Sequence, residues 1–395
     1  MRVDDVRDNL SDARHGAIAF AGSQKPRKRK KHAYVFGFVS WKTFISDWLP
    51  GHRIVRKNKP LTTFGFYMRV APSILWNRGS RVYIWSYKDD GMIGRFCKRW
   101  RVPYQRVEDG FIRSVALGAE RSRPLSLIFD SPALYFDATV PTTLEKLLNH
   151  YDFDNDPVLM GRAHTAMRRL IDLRLSKYNS SKDVEIEAIY GPKTRKRILV
   201  VGQVEGDMSI KKGCQRDIDN NDLVRLAAAE NPGAQIIYKP HPEVLRGIRK
   251  NPPQSNPNEV CDIAMVLGQD VTLADAFRTV DHVYTITSLS GFEALMRGIP
   301  VTTVGCPFYS GWGVTDARQP NSRRKRQLTV EQIFAAAYIL YPKYMDPESR
   351  RQIEIEEAID ILIRMKMQSM AFEGEPVQAP VAKTVEEAAS IPVWE

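Results

Sequence analysis

Short apolar runs of β character alternate along this chain with stretches of helical period, and the runs end in glycine, hydroxyl or charged residues. Ala33 to Val39 (AYVFGFV) and Val82 to Ser86 (VYIWS) read as strands, with Trp41 to Trp48 (WKTFISDW) as a helix between strands. Val102 to Val107 reads as a strand that delivers Glu108, Asp109 and Gly110 at its end. Leu125 to Phe129 and Leu134 to Phe136 read as further strands, and Thr142 to Tyr151 as a helix opened by a hydroxyl cap. From Pro157 the pattern is helical, and a charged bridge follows. Arg197 to Val201 (RILVV) is then a buried, parallel-type strand. Asp222 to Glu230 is a helix and Gln235 to Tyr238 a strand; Val271 to Phe277 is a short helix and Val283 to Ile286 a strand. A helix begins near Ser288 and stops at Gly298–Pro300.

This alternation predicts an α/β chain of two facing Rossmann-like domains, the GT-B arrangement, with ligands in the cleft outside the strands' C-terminal ends. The expected divisions are a basic flexible arm (1–32), an acceptor-side domain (33–178), a linker (179–196), a nucleotide-sugar domain (197–345), a C-terminal helix (346–369) and a disordered tail (370–395).

Composition narrows the function classes. The 395 residues are long enough for two cores, and no apolar run approaches the roughly 18–20 residues of a spanning helix. No apolar signal core follows the N-terminus, which points to the cytoplasm. Cys97, Cys214, Cys261 and Cys306 are widely spaced, without a CxxC pair, which argues against a zinc site or disulfide framework. The net charge of +12 calls for an anionic partner. Two basic runs, Lys25–Lys31 and Arg323–Arg326, read either as solvated segments or as adhesion to an anionic membrane face. No nucleic-acid module accompanies the charge, so no nucleic-acid partner is expected.

The candidate chemistry gathers at strand ends. Ser288, Ser290 and Gly291 lie where a strand feeds a helix whose first N–H groups suit a phosphate, and Glu293 lies where a carboxylate can accept two ribose hydroxyls. The same residues also read as ordinary helix caps. Pro307 to Gly313 sets Tyr309 and Trp312 among glycines, which suits a loop closing over a ligand. Lys239 and His241 in KPHP can hold a departing phosphate. Gln203 and Asp207 follow the RILVV strand, Asp207 either as a nucleophile or as a cap. Glu108 and Asp109 set two adjacent acids at a strand end, where each pushes the other's proton affinity apart from its own.

Several motifs together resemble the capsule polysaccharide synthesis proteins of the KpsC type. They are EDGFIRSVALG (108–118), PLSLIFDSPALYFDATVPTTLEKLL (124–148), LSKYN (175–179), VVGQVEGDMSI (200–210), YKPHPEV (238–244), TSLSGFEAL to FYSGWGVTD, and LYPKY (340–344). The resemblance covers roughly residues 33 to 345 and implies a retaining β-Kdo glycosyltransferase. Its donor would be CMP-β-Kdo, and its acceptor an anionic lipid-linked Kdo or glycan at the inner face of the inner membrane. Capsule assembly and export proteins are further candidate partners. On this likeness Asp207, Asp109, Glu108 and His241 are catalytic, with Asp109 preferred as general base and the other acid a ligand for sugar hydroxyls; Lys239, Ser288, Ser290, Gly291, Glu293 and Gln203 bind the donor; and Arg113, Tyr309 and Trp312 contact sugar, Arg113 as a candidate partner for the Kdo carboxylate. No DxD motif follows a strand, and the scheme calls for no metal or other cofactor. Larger members carry two such modules, whereas this chain has one of each motif, which implies a single linkage type. A transferase or epimerase using another sugar nucleotide, and a non-catalytic assembly module, are the alternatives.

Overall fold

The computed structural model describes residues 30–57, 62–89, 91–115, 122–177, 184–247, 253–269 and 271–373. Of the expected arm (1–32), residues 1–29 lie outside the described residues and Lys31 and His32 open the first strand; of the expected tail (370–395), residues 370–373 end the last helix and the rest lies outside the described residues.

The first half is built on a seven-stranded sheet. Its strands are β1 (Lys31–Phe36), β2 (His52–Lys57), β3 (Arg81–Trp85), β4 (Tyr104–Asp109) and β5 (Ser126–Asp130), joined by β12 (Lys343–Met345) and β13 (Gln352–Ile353) from far along the chain, in the order β13-β12-β5-β4-β3-β1-β2. The β2-β1-β3-β4 portion is parallel, so the C-terminal ends of these strands share one edge. β5 turns antiparallel to β4, pairing Asp109 with Leu127. The turn is tight: a Cβ on Gly110 would overlap the Ser126 side chain. Helices α1 (Thr63–Arg69), α2 (Ala71–Trp76) and α3 (Met92–Arg99) cover one face, where Phe66, Val70 and Ile74 pack with Phe96 against Tyr34, Phe36 and Ile84. α4 (Thr143–His150) opens with Thr142 accepting the Glu145 N–H at 3.1 Å, and α5 (Pro157–Asp172) is capped by Asp156.

The second half is a six-stranded, wholly parallel sheet of β6 (Arg197–Val201), β7 (Gln235–Lys239), β8 (Met265–Val266), β9 (His282–Thr285), β10 (Val301–Thr303) and β11 (Asp316–Ala317). Its order, β11-β10-β9-β6-β7-β8, is that of a dinucleotide-binding sheet, with the reversal of direction between β6 and β9. The helices that matter to the site are α6 (Met208–Gly213), α7 (Asn220–Glu230), α8 (Pro242–Leu245) and α9 (Leu289–Met296). Two facing Rossmann-like halves make this a GT-B architecture. α10 (Ile355–Glu373) then returns to the first half, where Arg162 on α5 pairs with Glu356 at 2.8 Å and Glu354 at 2.9 Å.

Three expectations change here. Residues 343–345 do not close the second domain: β12 pairs with β5 in the first sheet, so the chain has already crossed back. Leu134–Phe136 forms no strand; Leu134 and Phe136 are buried in an irregular turn and Tyr135 lines the cleft between the halves. The run Arg323–Arg326 is neither a solvated segment nor a membrane patch. Glu145 of α4, almost fully buried, receives Arg323 at 2.6 Å and Arg324 at 3.5 Å, and Arg324 also donates to the Ser310 carbonyl at 2.7 Å. Arg326 donates to the Tyr151 carbonyl at 2.8 Å. These arginines fasten the two halves together. Beside them an aromatic cluster crosses the same junction, with Phe111 5.0 Å from Phe308 and stacked on Tyr338 at 5.1 Å.

Candidate active site

Between the halves lies a cleft of about 720 Å³, within the range of small-molecule sites. On the second half it opens where β6 and β9 diverge. Gln203, just past β6, receives the Thr287 N–H on its side-chain oxygen at 2.7 Å and donates to the Thr287 hydroxyl at 3.2 Å, bridging the two strand ends. Asn220, the first residue of α7, fixes the Gln203 backbone through bonds of 2.8 Å and 2.9 Å. The groups at the cleft are thus set by hydrogen bonds among residues that all follow parallel strands.

Three of these residues are helix caps. Ser288 accepts the Ser290 N–H at 3.2 Å, and its hydroxyl lies 3.1 Å from that of Ser290. Asp207 caps α6 by accepting the Ser209 N–H at 2.9 Å. His241 caps α8: its Nδ1 accepts the Glu243 N–H at 3.1 Å. That bond assigns the proton of the neutral ring to Nε2, which leaves this nitrogen the donor. Lys239, the last residue of β7, is buried. Glu293 sits one turn into α9 and is nearly fully buried; Oε1 receives the Lys177 N–H at 3.4 Å, while Oε2 accepts no hydrogen bond among the described residues. Burial pushes its carboxyl up to about 7, against the opposing pull of the Arg297 guanidinium and the Lys177 N–H.

The first half presents Glu108 and Asp109, the final two residues of β4. Arg113, wholly buried, pairs with Asp109 at 2.9 Å and donates to the hydroxyls of Ser114 at 2.8 Å and Ser122 at 2.7 Å. Burial raises the Glu108 proton affinity, the neighbouring Asp109 charge adds to that, and Lys177 and Lys42 oppose it. Lys42 is buried with its ammonium 2.9 Å from the Trp85 ring centroid. Burial lowers it to about 8, partly offset by the charges of Asp109 and Glu108.

Glu108, Asp109, Gln203, Asp207, Lys239, His241, Ser288, Ser290 and Glu293 therefore line one cleft despite their separation in sequence. Four expected residues do not. Arg113 is engaged by Asp109 and the serines, behind the cleft wall. Gly291 does not line the cleft, and the space where its Cβ would stand is filled by the Tyr309 hydroxyl, which donates to the Ser288 carbonyl. Tyr309 and Trp312 form no lid. Both are fully buried, Trp312 donates to the Phe308 carbonyl at 2.9 Å, and Tyr309 packs on Phe292. Gly291 leaves the room that the Tyr309 ring occupies, and Gly311 and Gly313 take positive φ in the turn that carries Trp312.

The cleft also holds residues not anticipated: Tyr87 and Lys88 after β3, Arg174 paired with Asp275, Ser176 and Lys177, and Lys366 of α10. The LSKYN motif signalled Ser176 and Lys177. Nothing local in sequence marks Lys366, which arrives because α10 folds back.

Residues 89–344 match the family described as capsule polysaccharide biosynthesis protein. The chain is 41% identical over 382 residues to the lipopolysaccharide-processing protein LpsZ of Rhizobium meliloti, spanning 95% of this chain and 81% of LpsZ. With the capsule polysaccharide modification protein LipA of Neisseria meningitidis serogroup B it shares 38% identity over 288 residues, 73% of this chain but only 40% of LipA. Two solved structures from KpsC of Thermosulfurimonas dismutans share the fold. Its β-Kdo 2,4 transferase aligns with a TM-score of 0.71 at 33% identity, covering 85% of this chain and 99% of that one. Its β-Kdo 2,7 transferase aligns at 0.66 and 30%, covering 85% and 100%. From the extent of these matches and the shared two-sheet architecture, the chain belongs to the capsule polysaccharide biosynthesis protein family and resembles the KpsC Kdo transferases.

Proposed function

We propose that this chain is a retaining glycosyltransferase that moves Kdo from CMP-β-Kdo to a Kdo-bearing lipid or glycan acceptor, working at the inner face of the inner membrane in capsule or surface polysaccharide biosynthesis. The observation that carries this reading is the meeting, in one cleft, of two carboxylates ending β4 with a lysine, an imidazole and capped hydroxyls ending β7 and β9. The likeness to two Kdo transferases supports the choice of sugar.

In this scheme the donor lies on the second half. Ser288, Ser290 and the N-terminus of α9 take the CMP phosphate, and Glu293 takes the ribose hydroxyls. The Asp207 carboxylate attacks the anomeric carbon; the bond from that carbon to the phosphate oxygen breaks, and CMP leaves with the electron pair. Lys239 and the His241 Nε2–H stabilise the departing charge. The acceptor hydroxyl, losing its proton to a carboxylate of the first wall, then attacks the same carbon and releases Asp207. Two inversions give net retention. We assign the base to Glu108, not Asp109: burial raises its proton affinity, while Asp109 is tied to Arg113. Asp109, held by that ion pair, orients sugar hydroxyls. The leaving phosphate needs no divalent ion in this scheme, and a magnesium requirement would contradict it.

Nucleotide binding tests the donor assignment. CMP is expected to raise the thermal midpoint by a few degrees and UDP to raise it less, with the CMP effect much reduced in Lys239→Ala. Preferential stabilisation by UDP would overturn the assignment.

A further inference from the structure

The outer helical layer of the first half has a composition that neither its packing nor the cleft explains. α1 and α2 bury Phe66, Val70 and Ile74 against the sheet and turn the opposite side chains outward. Trp76 is 87% exposed, Phe64 76% and Met68 62%, with Tyr67 and Leu75 also exposed. Trp100, which ends α3, is half exposed beneath the Arg99 guanidinium, 5.7 Å from its ring centroid. Tyr67 packs edge-on against Phe96 of α3 at 6.0 Å, so the three helices form one continuous surface. Single exposed apolar residues are ordinary, but a cluster of this kind on adjoining helices marks an interaction face.

Charge says what that face fits. Between Gly51 and Val102 the sequence holds twelve Lys and Arg against two acids, Asp89 and Asp90. Asp89 is buried and paired with Arg106 at 2.9 Å, so it does not offset the surface charge. Arg69, Arg78, Arg95, Lys98, Arg99 and Arg101 are all exposed on or beside the same helices. Six exposed basic residues thus accompany the apolar side chains of this layer. A second copy is a poor occupant: a two-fold contact would press this basic surface against itself. Aliphatic Met68 and Leu75 beside Trp, Phe and Tyr, ringed by arginine and lysine, match the interfacial zone of a bilayer with anionic headgroups.

We propose that α1, α2 and the end of α3 form a platform that docks the protein on an anionic phospholipid surface. Phe64, Met68 and Trp76 enter the headgroup and upper acyl region, and the surrounding arginines and lysines pair with lipid phosphates. The platform lies on the first half, whose carboxylates face the acceptor under the proposed function. Its purpose, presenting a lipid-linked acceptor, rests on that reading; the binding itself does not.

Vesicle flotation with the full chain tests it. Wild type is expected to float with phosphatidylcholine vesicles containing roughly a third phosphatidylglycerol, weakly with phosphatidylcholine alone, and less as salt is raised. The combined change Phe64→Ser, Met68→Ser and Trp76→Ser, and separately Arg69→Glu with Arg99→Glu, should each weaken binding at least about tenfold. Thermal midpoints near wild type would establish that both variants fold. Equal binding to neutral vesicles overturns the proposal. So does undiminished binding by both variants, which would assign adhesion elsewhere on the chain. A dimer abolished by the serine changes, or displacement from vesicles by RNA at equal charge, also overturns it in favour of those partners. Transfer to a short water-soluble Kdo acceptor should be unchanged in the serine variant. Absence of that transfer in wild type would strike the proposed function while leaving the vesicle result intact.

Discussion

The acids that end β4 and the hydroxyls and imidazole that end β7 and β9 face the same cleft but are held by opposite means. Glu108 and Asp109 are kept in place by buried charge, Arg113 at 2.9 Å from Asp109 and Lys42 behind them. Ser288, Asp207 and His241 are held by hydrogen bonds from backbone N–H groups at the starts of helices. Disturbing the first wall therefore leaves a charge uncompensated in the interior, which is expensive. A residue on the second wall can be replaced by another capping residue with little structural consequence, so its chemistry can be separated from its architecture.

The largest expected effect uses that separation. Asp207→Asn keeps a capping oxygen but removes the nucleophile; transfer should fall by about a thousandfold or more while the thermal midpoint stays near wild type. Asp207→Ala should lose the cap as well, at about 1 kcal/mol of stability by denaturant titration. Substantial activity in the Asn variant would make Asp207 a cap and nothing more. On the first wall, Glu108→Gln should slow transfer by about a hundredfold or more. Because the base acts only when deprotonated, the wild-type rate should rise with pH through the elevated Glu108 pKa, and this limb should vanish from the variant's profile.

Arg113→Ala should cost about 3 kcal/mol, by stranding the Asp109 carboxylate against the removed partner, and would appear as a lowered midpoint before any assay of activity. A loss confined to activity would return Arg113 to the role of sugar ligand. Gly291→Ala is expected to cost about 1–3 kcal/mol, because the new methyl must displace Tyr309; a weakened nucleotide affinity at unchanged stability would restore Gly291 to the phosphate site.

The smallest effect depends on pH. Glu293, pushed up to about 7 from an ordinary 4.5, favours folding when protonated. Its contribution is fully present below about pH 4.5 and is lost as pH rises through about 7. Glu293→Gln should therefore stabilise the unliganded protein increasingly from acid to neutral pH, by on the order of 2 kcal/mol above pH 7. Nucleotide binding should move the other way, since ribose hydroxyls donate to the carboxylate: CMP affinity should weaken below about pH 7 in wild type and lose that dependence in the variant.

What could be read from sequence follows the same division. The parallel strands of the second half, RILVV above all, announce themselves as unbroken apolar runs, and the polar residues after them belong to the switch point by topology. Glu108 and Asp109 were visible because a strand ending in two acids is unusual. The irregular parts were harder. FYSGWG has the composition of a loop, yet its rings fill the core because Gly291 leaves room for Tyr309 and Arg324 donates to the buried Ser310 carbonyl of the turn. The run RRKR looked like surface charge, and only a buried acid distant in sequence, Glu145, reveals it as a fastener. Lys42 and Lys366 reach their places through tertiary folding alone, without a local signature.

The central claim is transfer of Kdo from a cytidine nucleotide with retention. The direct measurement is to incubate the full chain with CMP-Kdo generated in situ and a synthetic acceptor carrying one β-linked Kdo, then follow mass and anomeric configuration of the product. The account predicts an acceptor heavier by one Kdo unit in a β linkage, formed by wild type and not by Asp207→Asn. No addition by wild type, or addition with inverted configuration, would contradict it.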